Sequence, residues 1–418
     1  MGMIQTLGHS VSVALARRPR LLFCIQEQWL NFGYRVLDLR MAGWVVRRPE
    51  WLRAKSRPEP TLLEPELGAA ASVNAGLALR MITASRAVWA NQQHSADLEN
   101  TIWGTLLQAQ YAELRTLVEK GDADALARFQ SRIFRTETVN GYTYGSTFDA
   151  WPHRWSYVPV QIELSVVQLA ESLGLIRAEC HEQGQVAFWR SLLTEAELMD
   201  RLENYFGFRI EQPRFGDPKG ILFGGRFLTR ETCSHLHAAH RMRTAIDRKG
   251  MKGPLNIVEI GGGFGGTCFW LRKVLGDRVN RYAIVDLPEV GLVQAYFLGS
   301  MHPRELVLRD EQPTTGASAI QLVPYFSLDQ IDFTPDVLIN QDSMPEMPQS
   351  EVERYLRWAS EHLNGLFLSF NQEAYSPFGN VHQVCVPEVV KLFPRFKRLS
   401  RDSSWDRRGY VEEVYETT

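Results

Sequence analysis

Apolar residues recur at three- and four-residue spacing from about Ala69 to Leu198, the rhythm of helices that bury one face. Asp97, Leu98, Ile102, Leu106 and Leu107 open a stripe that runs on through Leu114 and Leu117, and Gly121 with Asp122 stops it. Asp122 or Asp124 is placed to cap a following helix through Ala125, Leu126 and Phe129. Helical spacing resumes at Val160–Leu173 and at Glu195–Tyr205, and a short strand pair is expected between Phe208 and Phe223. Val139 to Trp155 is rich in Gly, Tyr, Trp and Pro and poor in charge, and is long enough for a functional loop. The pattern changes near Leu255. Leu255–Ile260, Tyr282–Val285, Ile320–Val323, Val337–Ile339 and Leu366–Phe370 are short apolar runs, several of them separated by helical patterns. That alternation predicts a parallel sheet with helices on both faces. Phe396–Leu399 and Gly409–Tyr415, joined by a turn at Trp405–Gly409, add a closing hairpin and bring the expected strands to seven.

Composition changes this picture little. Of 418 residues, 44% are hydrophobic and 22% charged, values of an ordinary globular protein rather than a low-complexity chain. A net charge of −2 argues against a nucleic-acid-coating protein. Cys24, Cys180, Cys233, Cys268 and Cys385 are too scattered for a disulfide framework and show no CxxC spacing, which points to a reducing, cytoplasmic compartment. Charge is unevenly spread, however. Residues 1–60 hold ten basic and four acidic side chains, leaving 36 basic against 44 acidic for the rest. The apolar stretch of Met1 to Ala16 precedes Arg17 and Arg18, the reverse of a secretory leader, and is too broken and short to span a bilayer. The Leu, Phe, Trp and Arg mixture of Leu21 to Trp51 suits a helical arm packed on its own protein or on a second copy in a homodimer. It equally suits peripheral contact with an anionic membrane surface. Pro58 to Pro65 reads as an extended break after this arm. The expected divisions are 1–60, a basic arm; 61–230, a mostly helical region; and 231–418, the sheet-bearing region.

The densest chemical signal is the run Ile257 to Gly266, where a buried strand ends in glycines that let a ligand approach a helix N-terminus. Gly261, Gly263 and Gly266 fit the dinucleotide spacing G-x-G-x-x-G, while Glu259 with Gly261, Gly263 and Gly265 fits the E-x-G-x-G-x-G pattern of S-adenosylmethionine (SAM) enzymes. Asp286, twenty residues past Gly266, suits a ribose diol in either case. Glu259 favours the SAM reading, because a carboxylate there repels a pyrophosphate and attracts an ammonium-bearing, sulfonium-bearing ligand. An NAD(P)-dependent oxidoreductase and a non-catalytic scaffold of the same fold stay open as alternatives.

VEIGGGFGG (258–266) and YAIVDLP (282–288) resemble the SAM-binding half of class I O-methyltransferases. LINQDSMPEM (338–347), LFLSFNQEAY (366–375), GYVEEVY (409–415) and IEQPRFGDPKG (210–220) are similar to bacterial sugar O-methyltransferases of surface-polysaccharide and glycosylated natural-product pathways. The resemblance covers roughly residues 200–418. It implies an α/β, Rossmann-like, seven-stranded methyltransferase domain behind a helical region that helps cover the acceptor, and methyl transfer to a sugar hydroxyl. Cofactor contacts then fall on Glu259, Gly261, Gly263, Gly265, Asp286, Leu287 and Gln341.

In an open parallel sheet, ligands bind beyond the carboxyl ends of the strands. That brings the loops Gly261–Gly266, Gln341–Met347 and Asn371–Gly379 to one mouth, with Asp342, Glu346 and Glu373 expected to face the methyl group. His382 is the histidine of this loop region and the candidate general base. The three acids equally suit a Mg²⁺ ion that clamps sugar hydroxyls, direct hydrogen bonds to them, or, for Glu346, a cap on the helix from Ser350. His235, His237 and His240 are not assigned as metal ligands, since His235 and His237 sit two apart and do not share a helical face. They are expected on the helix before the glycine strand, with one of them near the cofactor. Trp and Tyr side chains of the 139–155 loop are candidates for stacking on a sugar ring, or for core packing.

Overall fold

A computed structural model describes residues 74–90, 102–139, 142–143, 158–180, 188–311, 319–373, 377–378, 381–407 and 409–418. The basic arm of residues 1–60, Asp97, Leu98 and most of the 139–155 loop lie outside the described residues. The chain divides into two units, 1–59 with 154–158 and 60–153 with 159–418, and the sheet and the helices packed on it belong to the second.

Helices come first. They are α1 (Ala75–Ala90), α2 (Ile102–Gln110), α3 (Ala112–Lys120), α4 (Ala123–Gln130), α5 (Val158–Ser172) and α6 (Glu195–Phe206). The stripe through residues 102–117 is two helices, parted at Tyr111, and Gly121 ends the second in the left-handed conformation at φ 75°. Asp122 caps α4 by accepting the Ala125 N–H at 2.9 Å. Thr194 and Glu197 form a reciprocal capping box on α6, which satisfies two otherwise orphaned N–H groups. The expected strand pair lies later than the sequence suggests, at β1 (Ile221–Phe223) and β2 (Arg226–Leu228). Pro213, Gly216 and Pro218 break the chain before it, and Gly224–Gly225 make its turn.

The sheet region opens with α7 (Arg230–Arg248), then β3 (Leu255–Ile260), α8 (Gly266–Leu275), β4 (Val279–Asp286), α9 (Pro288–Met301), β5 (Leu306–Val307) and β6 (Ala319–Pro324). It continues with β7 (Val337–Gln341), α10 (Gln349–His362), β8 (Leu366–Gln372), β9 (Pro377–Phe378), β10 (Val381–His382), α11 (Val386–Val390), β11 (Phe396–Ser403) and β12 (Tyr410–Thr417). Eight strands share one sheet in the order β11-β12-β8-β7-β3-β4-β6-β5. All seven expected strands are in it. The eighth, β5, is two residues long and pairs parallel with β6, too short to register as an apolar run. Pairing is parallel from β5 to β8, and antiparallel where β12 enters between β8 and β11. The order reverses at β3, which lies between β4 and β7, so a crevice opens beyond the carboxyl ends of β3 and β7.

Packing fixes that crevice. Val258, Ile260, Ala283, Val285, Leu338 and Phe367 are buried in one core with Val352, Tyr355 and Leu356 of α10. On α7, Leu236, His237, Met242 and Ile246 make the buried face, and both His237 Nε2 (3.0 Å) and Arg241 Nε (2.7 Å) reach Glu412 of β12. The helical region is tied to this body as well. Arg80 of α1 forks onto Glu311 with two bonds of 2.7 Å, and Leu77 packs beside Gly299 of α9.

Candidate active site

The glycine turn owes its path to crowding. Gly261 has φ +71°, and a Cβ there would lie 2.0 Å from Ser343 Oγ. A Cβ on Gly262 would lie 2.5 Å from Ile284, so the backbone runs close under the crevice with no side chain between. Gly263 is open on its outer side, where the Tyr142 ring stands 3.6 Å from a Cβ position. Gly265 (φ +94°) caps α8 and abuts Leu298, so it shapes the turn without lining the cavity.

Across from the turn, the loop after β7 is pinned by a buried amide network. Asn340 Nδ2 donates to Ile260 O (2.9 Å) and Ser343 Oγ (2.6 Å), while Asn371 Nδ2 donates to Asn340 Oδ1 (2.8 Å). Asn340 and Asn371 are buried, and their amides hold β3, β7 and β8 at a fixed spacing. Asp342 follows at φ +67°, a left-handed conformation uncommon outside glycine and a mark of a constrained site.

Between turn and loop lies a cavity of about 180 Å³. It is lined by Glu259, Gly261, Gly263, Asp286, Leu287, Gln341, Asp342 and Glu346 from the sequence expectation, together with Trp103, Tyr142 and His235. Five carboxyl side chains line it (Glu259, Asp286, Asp342, Glu346 and Glu351), and no lysine or arginine is among the described lining residues. Three of these acids are shifted. Burial pushes Asp286 up to about 7, although Leu287 N–H (2.8 Å), Gln294 Nε2 (2.8 Å) and the Gly262 and Gly263 amides oppose the change. Burial likewise raises Glu259 to about 7 against a 2.8 Å bond from Tyr282 OH. Glu346 rises to about 7 through burial and the nearby Asp342, while the Trp103 N–H and Arg407 act the other way.

The other candidates fall into place unevenly. Gln341 Oε1 accepts from Thr267 Oγ1 at 3.2 Å. Asp342 pairs with Arg407, whose guanidinium also stacks over the Tyr410 ring at 3.7 Å. Glu346 does not cap α10, whose first turn has no side-chain cap; it accepts the Trp103 indole N–H at 3.1 Å instead. Glu373 is not among the described residues that line the cavity: Arg401 of β11 takes both its oxygens at 2.6 Å and holds it below the usual carboxylate range. The antiparallel β11–β12 hairpin brings that arginine alongside, which no local spacing reveals. His382 sits on β10, paired with Pro377 of β9, and its side chain lies outside the described residues.

Of the three histidines on α7, only His235 lines the cavity; burial, with Arg407 nearby, lowers it to about 4. His237 is bound to Glu412, and His240 packs against Tyr205 and Phe206. Among the described residues no cluster of three or more His, Cys, Asp or Glu is placed to hold a metal ion. Asp342, Glu346 and Glu373, the set considered for Mg²⁺, are turned to Arg407, Trp103 and Arg401. No described helix is long and apolar enough to cross a membrane. Trp103 and Arg407 escaped sequence reading, because their partners lie far along the chain and no motif marks them.

No protein-family model matches the chain, and no curated sequence does. Solved structures match part of it. The pyocyanin biosynthetic protein PhzM is 15% identical, with a TM-score of 0.33 over 45% of this chain; the match spans 56% of PhzM, little more than half its length. The magnesium protoporphyrin IX methyltransferase ChlM from Synechocystis PCC 6803, with bound SAM, is 12% identical over 44% of this chain and 79% of its own, at a TM-score of 0.31. A toxoflavin-type N-methyltransferase from Burkholderia thailandensis, with bound S-adenosylhomocysteine, is 17% identical over 44% and 79%, at 0.30. By its own strand order and glycine turn, the chain is a Rossmann-like α/β protein with a helical N-terminal region, and two of these three solved structures are described as methyltransferases.

Proposed function

We propose that the protein is a SAM-dependent O-methyltransferase that methylates a sugar hydroxyl on a surface glycan, a glycolipid or a glycosylated natural product. One observation carries the reading: a glycine turn that leaves no room for a side chain shares its cavity with five carboxyl groups and no lysine or arginine among the described lining residues. Such a lining attracts a cationic ligand and repels a pyrophosphate, which weighs against the dinucleotide alternative.

The residues fit SAM. The bare backbone at Gly261 to Gly263 admits close approach, and Asp286, at the end of β4, lines the cavity where ribose hydroxyls would meet it. Glu259, Leu287 and Gln341 line the same cavity and complete the cofactor contacts. Bound SAM would supply a methyl carbon, whose bond to the sulfonium sulfur breaks to leave a neutral thioether. Glu346 would take the proton of the acceptor's hydroxyl, a role for which a carboxyl near 7 is well matched. Asp342, held by Arg407, orients neighbouring hydroxyls. His382 is the second candidate for the proton. A sugar acceptor rests on the resemblance of segments 338–347, 366–375 and 409–415.

The test is transfer of labelled methyl from SAM to fractionated glycans. Glu346→Gln should lower kcat by about 10²–10⁴-fold with SAM affinity nearly intact. Full turnover in that variant removes Glu346 from the reaction, and the same assay on His382→Ala decides between the two bases.

A further inference from the structure

Trp103 is the one hydrogen-bond donor that the helical region extends to a carboxyl of the cavity among the described residues. It stands 243 positions from Glu346 in the chain, yet its Nε1 lies 3.1 Å from Glu346 Oε2. The indole is not loose. Its ring stacks on Tyr142 with centroids 5.7 Å apart and planes 15° from parallel. Tyr142 in turn shares a 2.6 Å hydroxyl–hydroxyl bond with Tyr111, which is fully buried. The carboxyl is anchored as well, on the short helical turn Met344–Glu346 that begins where Asn340 holds the Met344 N–H. Two rigid supports from distant parts of the chain therefore meet in one bond at the cavity wall.

We infer that Trp103 is a positioning residue for Glu346, pinning Oε2 so that Oε1 is presented to the ligand in the cavity. The role assigned to Glu346 in the proposed reaction is the premise for its catalytic meaning; the bond itself is tested without it. The charged and titratable groups facing Glu346 are Asp342 and Arg407, from the β7 loop and the closing hairpin, and the phenols of Tyr142 and Tyr410. Asp342 opposes ionisation of Glu346, whereas the indole N–H and Arg407 favour it. Removing the indole donor and removing the Asp342 charge should thus move the Glu346 titration in opposite directions.

The experiment is a pH titration of the indole ¹⁵N–H signals of the full chain labelled at its 11 tryptophans. One indole signal should shift through a midpoint near 7 in the wild type, be absent from Trp103→Phe, and stop titrating in Glu346→Gln. Asp342→Asn should lower that midpoint by about one unit. In kcat profiles on an accepted glycan, Trp103→Phe should move the rising limb to higher pH by about one unit, with SAM affinity unchanged. An indole signal that does not titrate, or that titrates alike in Glu346→Gln, overturns the inference. A Trp103→Phe limb that stays in place overturns it too. If the phenylalanine variant does not fold, the loss of titration in Glu346→Gln decides alone. Should Glu346→Gln keep full turnover while the wild-type indole still reports the Glu346 charge, the base role of Glu346 fails and the bond stands.

Discussion

Gly261 shows how one residue can make a turn irreplaceable. It combines φ +71° with a neighbour, Ser343 Oγ, only 2.0 Å from where a Cβ would sit. Gly225 has φ +78° but nothing within 4 Å, so it carries the same backbone requirement without the crowding. Gly261→Ala should cost about 2–4 kcal/mol and Gly225→Ala about 1 kcal/mol, read from urea unfolding midpoints. Equal losses would mean that Ser343 moves aside freely. The glycine spacing, Glu259 and Asp286 were legible because their chemistry is local to one strand, one turn and the next strand. Trp103 was not, since a tryptophan in an apolar helical stripe reads as core until its partner 243 residues away is known. The ion pair of Glu373 was illegible for a related reason: the cross-strand fork from Arg401, 28 residues away, fixes its carboxylate.

Among the elements, the parallel core was legible as apolar runs, and the closing hairpin as two more. What the runs do not contain is order. The insertion of β12 between β8 and β11 depends on contacts such as Tyr415 against Phe367, whose rings stack with centroids 5.7 Å apart. It also depends on α7. Glu412 of β12 is 4% exposed and is held by His237 and Arg241 of that helix, so the helix and the strand are joined by buried charge. Glu412→Ala leaves Arg241 with only its exposed partner, Asp402, and should cost about 1–3 kcal/mol, measured by chemical denaturation. A loss below about 1 kcal/mol would show the pair to be solvated and the clamp to be packing alone. The two-residue β5 and the later position of the β1–β2 pair were illegible because short edge strands carry no periodicity of their own.

Across the chain as a whole, a net charge of −2 conceals a basic first 60 residues and an acidic remainder. Within that remainder the cavity gathers five carboxyl groups at the switch in strand order. Burial raises Glu259, Asp286 and Glu346 to about 7, so without a ligand they are partly protonated near neutrality. A cationic ligand favours their ionised forms. Binding therefore releases protons, and affinity climbs as pH rises through about 7 before levelling off. The decisive measurement is isothermal titration of SAM into the full chain at about pH 6 and about pH 8, with Asp286→Ala alongside. A carboxyl-lined SAM site requires one SAM per chain, tighter binding at the higher pH, and affinity lowered about 10- to 100-fold in Asp286→Ala. No binding of SAM at either pH, or equal affinity in Asp286→Ala, would contradict it.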